Sequence, residues 1–235
     1  MVIRPWVALC GEVWEFLFVL RNGNMKSLST FLAGAALAAS ALFLVSCGGG
    51  STGSTSNTPG SAFSYDPKVT QPSNPSAVRV AISLSARKMY VVEGDKVLLA
   101  SPVGVGRASS PTPKGTFPVT HKKKFRRRQG NPGRGYPMTY WMSFYSPAYG
   151  MHWGFVKPQP CTAGCVRMPL NTARKAFDLV QVGTKVNVAN SQPWDETVGA
   201  GLPVLDDTPL PNPPNSYMQS AQVFEDSEQG KFWNF

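Results

Sequence analysis

The chain has 235 residues and a formal net charge of +10. The charge lies in residues 77–189, which hold 18 basic against three acidic side chains, whereas residues 190–235 hold seven acidic side chains against one lysine. The middle is long enough to fold as one modest domain, and its charge indicates an anionic partner or surface. Four cysteines, two of them in apolar N-terminal sequence, exclude a disulfide framework.

Residues 25–46 have the composition of a secretory signal. One lysine follows Met25, and a run of apolar and small residues extends over 31–45. This run is short for a membrane span, and it ends in small residues, as a cleaved signal does. We therefore expect export. Residues 1–24 precede this better start and are predicted to be a mis-called N-terminal extension.

The signal closes on Leu44-Val45-Ser46-Cys47, which resembles the lipobox of bacterial lipoproteins. The resemblance implies that Cys47 is acylated and becomes the first residue of the mature chain. Acyl chains there hold a protein at a membrane surface without a spanning helix. An ordinary cleaved signal, or an uncleaved anchor helix, is the alternative.

Residues 47–76 are rich in Gly, Ser, Thr, Asn and Pro, with almost no large apolar side chains. Such a segment does not bury enough apolar surface to offset the entropy of ordering. We predict a disordered tether with the reach of a flexible coil.

Residues 77–189 are predicted to be mainly β. Apolar side chains at Val78, Val80 and Ile82 alternate with other residues, which is the pattern of a half-buried strand. Apolar runs at 89–92 and 97–99 meet across a turn-rich connection, which predicts a hairpin. Further strand candidates lie at residues 103–105, 116–120, 138–144, 150–153 and 184–188.

One helix is predicted near the end of this domain. Asn171 can cap it, and Gly183 lies just beyond its end. Its apolar face is formed by Ala173, Ala176, Phe177 and Val180.

Residues 190–235 are rich in Pro, Asn, Asp and Glu. We predict an extended, acidic, Pro-rich tail. A solvated, disordered tail is favoured over one whose negative charge lies against the basic domain.

Two side chains within residues 150–168 indicate nucleophilic chemistry. His152 stands at the end of a predicted strand, and Cys165 follows thirteen residues later. A thiol attacks as thiolate, which requires a nearby base or positive charge, and His152 and Arg167 can supply both. The chain's other histidine, His121, lies among lysines that disfavour its protonation. A structural histidine and a small buried cysteine are the alternatives.

The turn before Cys165 is suited to acyl transfer. Gly164 allows a tight turn that directs the N–H groups of Gly164 and Cys165 toward a carbonyl oxygen, as an oxyanion hole requires. Thr162 can orient the loop through its hydroxyl. Cys161 and Cys165 make a poor zinc site, because the chain has only two histidines and zinc requires three or four placed ligands.

Several blocks together resemble the L,D-transpeptidase (YkuD-like) catalytic domain. Residues 162–168 are similar to its Ser/Thr-x-Gly-Cys-Ile/Val-Arg-Met/Leu signature. Residues 102–106 and 112–117 resemble its Val-x-x-Gly and Thr-Pro-x-Gly-x-Phe blocks, and residues 138–141 with His152 match the segment that leads to its histidine. The blocks follow the family order over about residues 78–188.

The resemblance implies a β-sandwich-like fold with one helix after the cysteine motif. It implies that Cys165 attacks the bond between the third residue and the terminal D-alanine of a peptidoglycan tetrapeptide stem, with His152 as general base and acid. D-Alanine leaves, and an amine of a second stem attacks the acyl-enzyme to form a cross-link. Arg167 is implied to organise the pocket or bind a carboxylate, and Thr162 and Trp153 are further substrate-binding candidates.

The sequence departs from the common family pattern. Trp153 separates the histidine from the following glycine, Ala163 replaces a histidine or another polar residue, and the histidine-to-cysteine interval is short. Cys161 is also unusual. A disulfide to Cys165 would silence the nucleophile, although a four-residue separation makes a strained and easily reduced ring; coincidence is the alternative.

Residues 121–128 hold six lysines and arginines, and together with the glycine-containing residues 130–135 they are predicted to be a mobile basic loop. Behind a signal sequence, this charge favours stem-peptide carboxylates, anionic wall polymers or lipid headgroups over nucleic acid. A solvated loop is the alternative.

The sequence therefore predicts an exported, lipid-anchored peptidoglycan L,D-transpeptidase. We expect no metal, no organic cofactor and no nucleic-acid partner, and we expect a monomer. An L,D-carboxypeptidase would use the same residues with water as the acceptor. A non-catalytic wall-binding lipoprotein, which tethers the membrane to the sacculus, is the alternative from another class.

Overall fold

The computed structural model describes residues 61–231, so the predicted extension, the signal and Cys47 lie outside the described residues. The strands are β1 (Val78–Ser83), β2 (Lys88–Glu93), β3 (Lys96–Pro102), β4 (Gly115–Pro118), β5 (His121–Lys123), β6 (Trp141–Ser143), β7 (Gly150–Trp153), β8 (Val166–Met168) and β9 (Lys185–Ala189). The α-helices are α1 (Leu170–Leu179), α2 (Asn215–Gln219) and α3 (Gln222–Glu228), and a 3-10 turn spans Pro75–Ala77. Over residues 61–231, no helix is long and apolar enough to cross a membrane.

The first sheet has five strands in the order β3-β2-β1-β9-β4. β1 pairs antiparallel with β2 and parallel with β9. The predicted hairpin joins β2 to β3, and Gly94 takes φ +60° in its turn, a conformation that glycine adopts without a Cβ clash.

The second sheet has four short strands in the order β5-β6-β7-β8, and β7 and β8 run parallel. β5 and β8 lie where the sequence predicts no strand. Residues 103–105 are predicted to be a strand but do not form one, because Gly104 makes only an isolated β-bridge to Arg167. The prediction of a mainly β fold, with a helix directly after the cysteine motif, is confirmed.

One apolar core is shared by both sheets and α1. It contains Ile82 of β1, Met151 of β7 and Ala173 of α1, each fully buried. The helix begins earlier than predicted: Pro169 is its N-cap, and no side chain caps it. Asn171 lies inside the first turn and donates instead to the carbonyl of Tyr65.

Residues 61–76 pack on the domain, which corrects the prediction of a disordered tether for this part of 47–76. Ala62 is buried, and its N–H donates to the carboxylate of Asp207 at 3.0 Å. The Tyr65 hydroxyl donates to the carbonyl of Ala100 at 3.1 Å. The sequence pattern does not show this, because the partners are far away along the chain.

The tail prediction is also corrected for residues 190–231. The Asp195 carboxylate accepts hydrogen bonds from Tyr90 at 2.8 Å and Ser83 at 2.7 Å, and Trp194 packs on the Tyr90 ring. These contacts bury the outer face of the first sheet. The acidic segment is ordered because its carboxylates accept from buried donors of the domain.

Candidate active site

The parallel pairing of β7 and β8 brings three predicted residues together. His152 lies opposite Arg167 in the register. Because side chains alternate along a strand, Arg167 and Cys165, two residues apart, share one face. Extending the pairing by one residue places Cys165 beside Gly150. The thiol, the imidazole and the guanidinium therefore face the same space.

That space is a cavity of about 410 Å³, lined by Cys165, His152, Arg167 and Thr162 among others. Cys165 is partly exposed there, and its Sγ lies 3.7 Å from the carbonyl oxygen of Ala148. The thiol is thus accessible to a ligand in the cavity.

The turn that precedes Cys165 is held by the Thr162 hydroxyl. This hydroxyl donates to the carbonyl of Cys165 at 2.6 Å and accepts from the N–H of Gly164 at 3.1 Å. The expected oxyanion role of Gly164 is therefore corrected, because its amide is already used inside the turn. Of the two predicted donors, this leaves the N–H of Cys165.

Gly164 is required in this turn for two reasons. Its φ is +106°, and a Cβ there would lie 2.4 Å from the ring of Tyr149. Any other residue would therefore combine backbone strain with a clash. The glycine fixes where Cys165 enters the cavity.

His152 is almost fully buried and held by one strong contact. Its Nδ1 donates to the carbonyl oxygen of Trp153 at 2.5 Å, and its ring stacks with Trp141 at 5.9 Å. A carbonyl only accepts, so Nδ1 carries the proton and Nε2 keeps the lone pair. The imidazole is oriented as a base.

Burial keeps both reacting groups neutral. Burial, together with the nearby positive charges of Arg167 and Arg126, lowers the pKa of His152 to about 3. Burial also raises the pKa of the Cys165 thiol, although the Gly150 N–H and neighbouring arginines act in the opposite direction. The expectation that Arg167 would lower the thiol pKa holds for its own contribution but not for the net shift.

Arg167 is placed by two neighbours. Its guanidinium lies over the ring of Tyr136, 5.6 Å from the centroid. A Cβ on Gly154 would lie 2.8 Å from Cδ of Arg167, so this glycine leaves room for the arginine. The residue after Trp153 therefore has a packing reason to be glycine.

The basic segment is ordered and forms part of the cavity. Residues 124–140 fold back as a hairpin, here called the basic hairpin, in which Arg127 pairs with Pro137. The alternation of a strand sends Arg126 and Arg128 to the Cys165 cavity and Arg127 to the other side. The predicted mobile loop is corrected, because residues 121–123 form β5 and the rest pairs with itself.

Known proteins resemble this chain over the range of residues that contains the site. The sequence model of the family described as YkuD, L,D-transpeptidase catalytic domain, matches residues 77–188. A Bacillus licheniformis protein that bears the name L,D-transpeptidase YkuD is 31% identical over 121 residues, which cover 49% of this chain and 68% of that relative. This chain belongs to the L,D-transpeptidase catalytic domain family.

A Bacillus subtilis protein with the same family name is 28% identical over 113 residues, 46% of this chain and 64% of that relative. The solved L,D-transpeptidase of Stackebrandtia nassauensis is 21% identical, with a TM-score of 0.44, over 54% of this chain and 60% of that one. The C442S mutant of the Enterococcus faecium L,D-transpeptidase is 24% identical, with a TM-score of 0.43, over 48% of this chain and 50% of that one. The chain thus spans less than two thirds of these three proteins.

Not every residue that the sequence singles out in this L,D-transpeptidase domain reaches the cavity. The side chain of Trp153 is buried in the core, and its carbonyl, rather than its ring, serves the site. Cys161 and Cys165 are both free thiols. The Sγ of Cys161 would lie 3.0 Å from a Cβ on Gly104. Over residues 61–231, no three His, Cys, Asp or Glu side chains are placed to hold a metal ion.

Sequence reasoning missed the two tyrosines of the cavity, Tyr136 and Tyr149, as site residues. It placed Arg126 and Arg128 only in a basic run, and Trp141 only in a block that resembles the family. The spacing of Arg126 and Arg128 could have indicated that both face the cavity, because two arginines two residues apart share a face if the segment is a strand.

Proposed function

We propose that this protein is a peptidoglycan L,D-transpeptidase that acts through a cysteine acyl-enzyme. The observation that carries the proposal is the convergence of Cys165, His152 and Arg167 on one face of the β7–β8 pair, around one cavity. Membership of the L,D-transpeptidase family supports the same conclusion.

In the first half-reaction, Cys165 Sγ attacks the carbonyl carbon that joins the third stem residue to D-alanine. The thiol proton moves to Nε2 of His152, and the N–H of Cys165 stabilises the oxyanion. His152 then returns the proton to the departing amine. The C–N bond breaks, D-alanine leaves, and a thioester remains on Cys165.

The neutral state of the pair sets the timing of this step. Because burial favours the thiol and the neutral imidazole over the ion pair, proton transfer accompanies attack rather than preceding it. A neutral nucleophile also limits side reactions in an oxidising compartment, since the thiolate is the form that oxidises.

Substrate charge is matched by the arginines of the cavity. Arg167, Arg126 and Arg128 all line it, and guanidinium groups bind carboxylates through paired, charge-assisted hydrogen bonds. We assign them to the carboxylate of the terminal D-alanine and to other stem carboxylates.

We further propose that the enzyme is exported and held at the cell envelope through acylated Cys47. The lipobox-like residues 44–47, behind an apolar run, support this location. Labelling cells with a palmitate analogue tests it: label is expected on the wild-type chain and not on Cys47→Ala, and label that survives the substitution would refute lipidation there.

The function is tested by mass spectrometry of purified tetrapeptide muropeptides after incubation with the protein or its Cys165→Ala variant. Cross-linked dimers that lack one D-alanine, formed only by the wild type, are expected. Tripeptides alone would indicate an L,D-carboxypeptidase. Unchanged substrate under reducing conditions would favour a wall-binding protein without catalysis.

A further inference from the structure

A second cavity, of about 810 Å³, adjoins the Cys165 cavity. Its lining includes His121 and Lys123 of β5, Trp141 and Ser143 of β6, Phe125 of the basic hairpin and Phe224 of α3. Arg126, Gln129 and Trp141 line both cavities. The two cavities therefore meet at Arg126, and a ligand in the second cavity lies beside the cavity that holds the nucleophile.

The C-terminal segment builds one wall of this cavity. The Phe224 ring lies 5.5 Å from Phe125, and the guanidinium of Arg127 packs on Phe224. Arg127 also donates to the carbonyls of Met218 at 2.6 Å and Ser220 at 2.8 Å. These C-terminal residues lie outside 77–188, the range matched by the family, so the wall is an addition to the domain.

The lining of the second cavity is cationic and partly aromatic. It contains no carboxylate side chain. Lys123 is exposed there, and within residues 61–231 its ammonium group has no hydrogen-bond or ion-pair partner. Arg127, in contrast, is occupied by the C-terminal carbonyls. The free ammonium of Lys123 suits a carboxylate, and the Phe125 and Phe224 rings suit an apolar segment beside it.

Acyl transfer requires a second substrate next to the thioester. On the basis of the transpeptidase function proposed above, we propose that the second cavity binds the acyl acceptor, with Lys123 holding a carboxylate of the amine-bearing peptide. The acceptor amine then reaches the thioester past Arg126. The C-terminal wall encloses a side of the cavity that β5 and β6 alone leave open.

The charge of the cavity also suits the chemistry of the amine. Nearby cations disfavour an ammonium and therefore increase the fraction of neutral, nucleophilic amine. The amine nitrogen attacks the thioester carbonyl carbon, the C–N bond forms, and the C–S bond breaks. The amine proton passes through His152 to the departing sulfur, which restores the Cys165 thiol without an oxidant or reductant.

The test uses the full chain with saturating tetrapeptide donor and a varied stem-peptide acceptor. Lys123→Gln is expected to raise the KM for the acceptor about tenfold or more, the size of a lost charged hydrogen bond. Release of D-alanine without acceptor is expected to stay unchanged, and Lys123→Arg is expected to restore the KM. The control is Lys185→Gln, an exposed lysine on β9 outside both cavities.

An acceptor whose carboxylates are amidated sharpens the assignment. It is expected to bind the wild type as weakly as the natural acceptor binds Lys123→Gln, and to be insensitive to that substitution. Phe224→Ala is expected to raise the acceptor KM without slowing D-alanine release.

The outcomes separate the two proposals. If the wild type forms an acyl-enzyme and cross-links, yet Lys123→Gln leaves the acceptor KM unchanged or raises the donor KM instead, the acceptor site is refuted and the enzyme stands. If D-alanine is never released and Cys165 is never acylated, both proposals are refuted.

Discussion

The two sheets of this domain differ in strand length, composition and role. The first has strands of four to seven residues, and its three longest strands carry Val, Ile or Leu at half or more of their buried positions. The second has strands of three or four residues that carry His152, Arg167 and Lys123. Apolar pattern thus specifies the scaffold, whereas the candidate chemistry lies on strands too short to show a pattern.

Buried polar side chains that lack partners lie in the second sheet and in the basic hairpin beside it. Over residues 61–231, the buried atoms without a hydrogen bond are Tyr136 Oη, Thr139 Oγ1 and Trp141 Nε1, all in the basic hairpin or β6. A region shaped for binding tolerates such groups where a scaffold does not. Substitutions should therefore separate function in the second sheet from stability in the first.

The largest effect is expected at the nucleophile. Cys165→Ser should lower cross-linking by roughly a thousandfold or more, because the hydroxyl lacks the reactivity of the thiol, with little change in thermal unfolding. Cys161→Ser is the matched control, four residues away and also partly exposed, and should keep turnover within a few-fold. Steady-state rates and melting curves measure both. Equal losses in the two variants would contradict the assignment.

The next effect is on stability in the first sheet. Ile82 of β1 is fully buried in the shared core, and Ile82→Ala should reduce the free energy of unfolding by about 2–5 kcal/mol through lost burial and a cavity. Lys185→Ala, at an exposed position of the same sheet, should change it by less than about 0.5 kcal/mol. Denaturant titrations measure both. A small effect at Ile82 would show that the first sheet is not the scaffold.

Gly164 is where fold and site meet. Gly164→Ala forces a Cβ against the Tyr149 ring at positive φ. It should lower the free energy of unfolding by about 1–3 kcal/mol and reduce the turnover rate at least tenfold. Gly183 is the matched control: its φ is +94°, but no atom lies within 4 Å of its Cβ position. Gly183→Ala should show only the backbone cost and near-normal turnover. Equal activity losses would show that the Tyr149 contact does not place Cys165.

Sequence reasoning succeeded where the signal is local. The alternation in β1, the hairpin between β2 and β3 and the apolar face of α1 each depend on neighbours within a few residues. It failed for β5 and β8, because three residues hold less than two periods of a strand. It failed again for residues 190–231, because the order there comes from pairing Asp195 with Tyr90, a contact that composition does not reveal.

The candidate site shows the same division. The motif predicted that Thr162, Cys165 and Arg167 act together, and the structure places them around one cavity. It did not predict which amide stays available, since the Gly164 N–H is committed to Thr162 by the detailed shape of the turn. It also missed the basic hairpin, whose arginines reach the cavity only because the chain folds back at residues 124–140.

The dependence of stability on pH tests whether His152 is as buried as the second sheet implies. An unfolded histidine binds a proton near pH 6.5, whereas the folded His152 has a pKa of about 3. The unfolded state therefore binds more protons between these values, and the free energy of unfolding should fall as the pH falls from about 6.5 toward 3. Asp207 contributes a pH dependence of the opposite sign, because burial raises its pKa. The effect of His152 is therefore measured as the difference between the wild type and a variant without the imidazole. Denaturant midpoints between pH 7 and 4 should decline more steeply for the wild type than for His152→Gln, and parallel declines would show that the imidazole becomes protonated within the folded site.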